Sequence, residues 1–160
     1  MNKYISFMFF FSVYANAGAV VQGPYKITGD TATIRVEENS GDINCPFSLV
    51  ISKVSASYEL DKVCENGDKP NIRSVFFMSL KGVTYIATIV SWYNKHQAEG
   101  IDETNFEVKI YRMNEHGQYT LDEEKTSDAI LSGTEDSTGD GSYKYNNATA
   151  VKRYMKKKYG

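Results

Sequence analysis

The side chains able to do chemistry are few and unevenly spread: two histidines, His96 and His116, two cysteines, Cys45 and Cys64, and some clustered carboxylates. A nucleophilic hydrolase needs a base within reach of a Ser or Cys, and an acid to orient that base. No Gly-x-Ser-x-Gly elbow occurs, and both histidines fall in segments that read as loops, where an imidazole is ordinarily just solvated. Glu99, Asp102 and Glu103 lie close together. Glycoside hydrolysis, however, needs two carboxyl groups facing a sugar-sized cleft from opposite sides, and neighbouring acids on one loop do not supply that. The reading is of a chain that is not an enzyme.

Metal chemistry has one candidate. Asp136-Ser137-Thr138-Gly139-Asp140-Gly141 matches the opening of a calcium-binding EF-hand loop at its first ligand, Asp136, its fifth, Asp140, and its sharp-turn glycine, Gly141. It departs at the third position, Thr138, and at the twelfth, where Asn147 replaces the bidentate Glu. No incoming helix is apparent, so a plain Gly/Asp turn is the simpler reading, and no metal or other cofactor is expected. Two Cys with two distant His are too few ligands for zinc, and a redox pair would be Cys-x-x-Cys. An even cysteine count in an oxidising compartment reads as one structural disulfide, Cys45 to Cys64.

That compartment is what the leading residues imply. Lys3 gives a positive start, residues 5–14 are an apolar run rich in Phe, and Ala15-Asn16-Ala17 is a small-x-small cleavage site. Residues 1–17 therefore read as an export signal, and 18–160 as a single exported β-rich domain, periplasmic or secreted. Ten apolar residues make about 15 Å of helix, half of a bilayer's hydrocarbon core, so a membrane anchor is disfavoured. No later segment is long and apolar enough to span, and no membrane span is expected after cleavage. The formal net charge of −2 hides an asymmetry. Asp122, Glu123, Glu124, Asp128, Glu135, Asp136 and Asp140 crowd one stretch, whereas Lys152, Arg153, Lys156, Lys157 and Lys158 crowd the tail. Cations in the last turns of a helix complement its dipole, and an exported chain seldom meets nucleic acid, so no nucleic-acid partner is expected.

The elements that must hold these residues can be read from periodicity. With 160 residues, 41% hydrophobic and 13% aromatic, the chain can build one core. Its centre is the stretch 72–94, two β-branched and aromatic arms around Lys81-Gly82, a hairpin whose turn suits either a two-residue primed form or a three-residue loop. In the second arm Thr84, Ile86, Thr88, Val90 and Trp92 share one face, and Val83, Tyr85, Ala87, Ile89 and Tyr93 the other. Neither face is strongly polar, which predicts a central strand covered on both sides. Residues 18–23 read as a loose lead-in to a short hairpin around Gly29-Asp30. Further strands follow at 47–51, 58–63, 106–112 and 118–121. Residues 126–131 suit either a helical turn or a short strand. Two long acidic connections, 95–105 and 133–142, interrupt the pattern. One convincing helix ends the chain, capped by Asn146 or Asn147, with Ala148, Val151 and Met155 as its apolar stripe and Tyr154 beside it. Asn147-Ala148-Thr149 also fits a glycosylation sequon, although the capping role accounts for Asn147 equally well. The expected fold is mostly β or α+β, an antiparallel sheet of about seven or eight short strands with one C-terminal amphipathic helix.

A domain without reaction machinery but with two acidic connections more plausibly binds than converts, and the acids favour a basic partner. The candidate partner-binding residues are Glu99, Asp102, Glu103, Glu135, Asp136 and Asp140. The short leader ending Ala15-Asn16-Ala17, the Cys45/Cys64 pair, the strand-loop-strand at 92–111, and Leu131-Ser132-Gly133 through Asp136 and Gly141 to Tyr145 before a helix together resemble the small periplasmic immunity proteins of bacteria. They resemble periplasmic lysozyme inhibitors less closely. The resemblance is architectural and covers most of residues 18–160. It implies stoichiometric binding through one of the acidic connections that blocks the active cleft of a toxin or cell-wall hydrolase; the alternative is a non-enzymatic interaction or ligand-binding module of the envelope.

Overall fold

The structure, a computed structural model, describes residues 18–137 and 141–160. The expected export signal at residues 1–17 lies outside the described residues, as does Asp140. Nine strands form two antiparallel sheets. The first contains β1 (Ala19–Lys26), β2 (Thr33–Glu38), β3 (Phe47–Ser52) and β4 (Ser57–Val63), side by side in chain order. The second runs β5 (Pro70–Leu80), β6 (Val83–His96), β7 (Ile101–Met113) and β8 (Tyr119–Leu121), with β9 (Ser132–Asp136) also paired to β7. A one-turn helix α1 (Glu123–Thr126) and a 3-10 turn at Ala129–Leu131 join β8 to β9, and α2 (Ala148–Tyr159) ends the chain. The helical-turn reading of 126–131 is the correct one of the two.

The alternation along β6 dictates a three-layer packing. Ile86, Val90 and Trp92 meet Ile34, Val36, Leu49 and Ile51 of the first sheet. Tyr85, Ala87 and Ile89, with Phe106, Val108 and Ile110 of β7, meet Val151 and Met155 of α2. The strand is thus covered on both faces, as its sequence requires. Its turn is the two-residue form: Leu80 pairs with Val83, and Lys81 and Gly82 both take positive φ, 50° and 80°. A lysine there costs about 1–2 kcal/mol against the sterics that glycine escapes.

The first strand departs from the sequence reading. Residues 19–23, expected to be loose, belong to β1 and pair with β2, with register shifts between Val20 and Gln22 and between Gln22 and Tyr25. Small, exposed apolar residues are carried into the ladder by the β2 edge, and Gln22 fixes them by donating from Nε2 to Ile72 O at 2.8 Å.

Polar side chains tie the two sheets at several points. Trp92 Nε1 donates to Cys64 O at 2.9 Å. Tyr111, fully buried, donates its hydroxyl to Asp61 Oδ2 at 2.8 Å, and Lys109 Nζ donates to the same oxygen at 2.9 Å. Burial and the neighbouring Asp61 charge both push the Tyr111 phenol well above its ordinary pKa, so it stays a donor. Cys45 and Cys64 form the expected disulfide, beside the Phe47 and Val63 pair where β3 and β4 meet.

The outer edge of β7 is closed over most of its length. β9 pairs with residues 103–107 and β8 with 111–113. Between them, Ile110 N donates to Thr126 Oγ1 at 3.0 Å, and Asp122 N donates to Ile110 O at 2.8 Å.

Candidate functional site

The two acidic connections are strand over much of their described length, and this changes where the candidate residues stand. The β6–β7 hairpin continues past the core through the pairs Tyr93 with Thr104, Asn94 with Glu103, Lys95 with Asp102, and His96 with Ile101. Only residues 97–100 connect the strands, as a 3-10 turn over Gln97–Glu99 closed by Gly100 in the left-handed region, φ 67°. Polar residues extend this hairpin because the core pairs below fix the register, and cross-strand side-chain contacts continue it. Tyr93 donates its hydroxyl to Asp102 Oδ1 at 2.9 Å, and Lys95 Nζ lies 3.6 Å from Asp102 Oδ2. The hydrogen bond to Asp102 raises the pKa of the Tyr93 phenol.

The second connection folds back on the first. Its leading half is β9, which pairs Gly133 with Phe106, Thr134 with Asn105, Glu135 with Thr104 and Asp136 with Glu103. Thr134 Oγ1 donates to Asn105 Oδ1 at 2.6 Å. Gly133 permits the close approach of Tyr143, since a Cβ there would lie 2.4 Å from Tyr143 Cδ2. The Tyr143 ring stacks on Phe106 at 5.5 Å between centroids and donates its hydroxyl to Ile130 O at 2.8 Å.

Pairing β9 with β7 brings Asp102, Glu103, Glu135 and Asp136 onto neighbouring positions of one ladder. Asp102 and Glu135 fall with Tyr93 and Thr104 on the α2 side, and Glu103 and Asp136 form a cross-strand pair on the other. Glu99 stands in the hairpin turn, apart from this group, and Asp140 lies outside the described residues. A cleft of about 330 Å³ opens at the α2 side, walled by Arg73, Tyr93, Asp102, Thr104, Glu135 and Asn146. Arg73 reaches it from a bulge in β5 between Ile72 and Ser74, and Asn146 Nδ2 donates to Glu135 Oε2 at 3.2 Å. Like charges directly opposite one another in a ladder repel, and Glu103 with Asp136 is such a pair.

The histidines stand apart. His96 is exposed at one end of β7, and His116 is exposed in the turn beyond its other end, a separation of about 40 Å for thirteen residues of strand. Among the described residues no group of three or more His, Cys, Asp or Glu is placed to hold a metal ion. Of the calcium-like segment, residues 138–140 lie outside the described residues.

The sequence reading missed the anchor of α2. Asp128, with its carboxylate 5% exposed, accepts from Tyr154 Oη at 2.6 Å, Lys158 Nζ at 2.8 Å, Tyr159 Oη at 3.1 Å and Ile130 N at 3.2 Å. Burial pushes this carboxyl's pKa upward, but the Lys158 ammonium and the hydroxyl and amide donors outweigh it and hold the group at about 2. A depressed folded-state pKa stabilises the fold above the unfolded value near 3.8, and that contribution is lost as pH falls through about 2. Asp128→Asn should therefore cost about 1–2 kcal/mol at neutral pH, with the gap to the parent closing between pH 4 and pH 2 in urea titrations. Asn147 is the helix cap, accepting from Ala150 N at 3.0 Å, and the stripe of Val151 and Met155 is buried as its spacing requires.

Comparison with protein-family models, with curated proteins and with solved structures gave no match.

Proposed function

We propose that this chain is an exported, non-enzymatic binding protein that neutralises a basic protein partner, a toxin or a cell-wall hydrolase, by stoichiometric occupation of its active cleft. The observation that carries this reading is the pairing of β9 with β7, which sets carboxylates from two distant segments side by side. Three features of that rim support it. The acids sit on strands of the main sheet, so little ordering entropy is lost on binding. Their mutual repulsion in the free protein is relieved when a cationic surface arrives. Their collective field steers a basic partner and speeds encounter by about 10–10³-fold at low salt. The disulfide Cys45–Cys64 agrees with a periplasmic or secreted setting, where such bonds persist.

The test is a charge reversal that spares the internal contacts of Asp102. Glu103→Lys with Glu135→Lys should leave the thermal midpoint within a few degrees of the parent. It should slow association with a partner captured by the parent chain by about 10–100-fold, and the difference should shrink as salt shortens the Debye length. The partner's own activity should fall to zero at one equivalent of the parent. Equal association rates for parent and variant would remove the rim from the interface, and a partner that stays active when saturated would remove the inhibitory role.

A further inference from the structure

The α2 side carries a second concavity, of opposite charge, on the far side of Asn146 from the first. A groove of about 620 Å³ runs along α2, with Tyr145 and Tyr154 as its aromatic wall and Ala150 as the one small residue of its lining. The two rings lie 5.1 Å apart between centroids, inclined at 57°. Lys144 approaches from the segment before the helix, while Arg153 and Lys157, four residues apart, project from the same helical face. Lys158 at the groove's edge is committed to Asp128, but Lys144, Arg153 and Lys157 make no ion pair with the described residues. Three cations without ion-pair partners among the described residues therefore surround a largely carbon-lined recess.

We propose that this groove binds an acidic saccharide, a sugar ring bearing carboxylate, sulfate or phosphate. The shape argues for a ring-sized group: the recess is concave, whereas a purely electrostatic contact with a flat surface would need no wall of aromatic rings. The chemistry agrees. An apolar floor and aromatic sides bury the C–H face of a ring, and a few charged groups at the margin fix its orientation, the usual division of labour in small-ligand sites. Arg153 offers a planar fork to an oxyanion, and Lys144 and Lys157 supply movable point charges. The apolar stripe of α2, Val151 and Met155, is already buried against the sheet, so the helix has no free apolar face to insert into lipid.

The experiment uses calorimetry with a heparin-derived tetrasaccharide, neutral cellotetraose and phosphatidylglycerol vesicles. The parent should bind the acidic tetrasaccharide and not cellotetraose. Arg153→Ala with Lys157→Ala should weaken binding at least about tenfold. Ala150→Leu keeps the charge and suits a helix but fills the recess, and it should weaken the tetrasaccharide by a similar factor while leaving any vesicle binding unchanged. Thermal midpoints matched to the parent establish that both variants are folded. Four results would overturn the assignment: no binding of the tetrasaccharide, equal binding of cellotetraose, equal binding of the tetrasaccharide by parent and Ala150→Leu, or binding of vesicles alone, which would make the surface a membrane contact.

Discussion

Trp92→Ala is expected to cost about 4 kcal/mol in urea denaturation, the largest loss of any single truncation considered. Trp92 is 6% exposed and packs between the sheets with Ile34, Leu49 and Val90, so its removal leaves a void that neighbouring strands, held by ladder hydrogen bonds, cannot close. Its indole N–H also satisfies Cys64 O, which would be left without that donor. Trp92→Phe separates the two contributions: it keeps most of the apolar area, loses the hydrogen bond, and should cost about 1–2 kcal/mol. A loss below about 1 kcal/mol for Trp92→Ala would mean that the layers do not pack through this residue.

Replacing both Cys45 and Cys64 by Ser is expected to cost about 3 kcal/mol, the loop-closure entropy for cysteines 19 positions apart. Because the indole of Trp92 bonds the carbonyl of Cys64, the two perturbations share a partner and should not add. The triple variant should fall short of the summed losses by about 0.5 kcal/mol or more, measured as a double-mutant cycle with the serine pair treated as one change. Strict additivity would show that the disulfide acts only on the unfolded chain.

What the residues revealed in advance follows from which of them pack. β6 was legible face by face, because Ile86, Val90 and Trp92 on one side and Ala87 and Ile89 on the other leave no polar surface to expose. The α2 stripe was legible for the same reason. By contrast, Ser132-Gly133-Thr134-Glu135-Asp136 has none of the β-branched or aromatic weight of a strand apart from Thr134 and pairs only because β7 presents an open edge. Residues 101–105 are likewise drawn into β7 by register inherited from the core. The carboxylates were therefore picked out as candidates while their arrangement was misjudged: residues 101–105 and 133–136 of the supposed loops lie on adjoining strands. Asp128 was invisible because its partners Tyr154, Tyr159 and Lys158 lie far along the chain, in a helix whose lysines read equally well as dipole complements. The left-handed Lys81 follows from one of the two turn forms its sequence allowed, a choice the lysine itself does not signal.

The closure of β7's outer margin limits how anything can attach there. With residues 103–107 and 111–113 already paired and Ile110 bonded to Thr126 and Asp122, that border has no vacant row of amides to accept an incoming extended peptide. A visitor to β7 itself must be recognised by what projects from the sheet, since among the described residues the outermost strand of this flank is β9. Specificity at β7 is then written in side-chain identity, which single substitutions can retune without disturbing the scaffold.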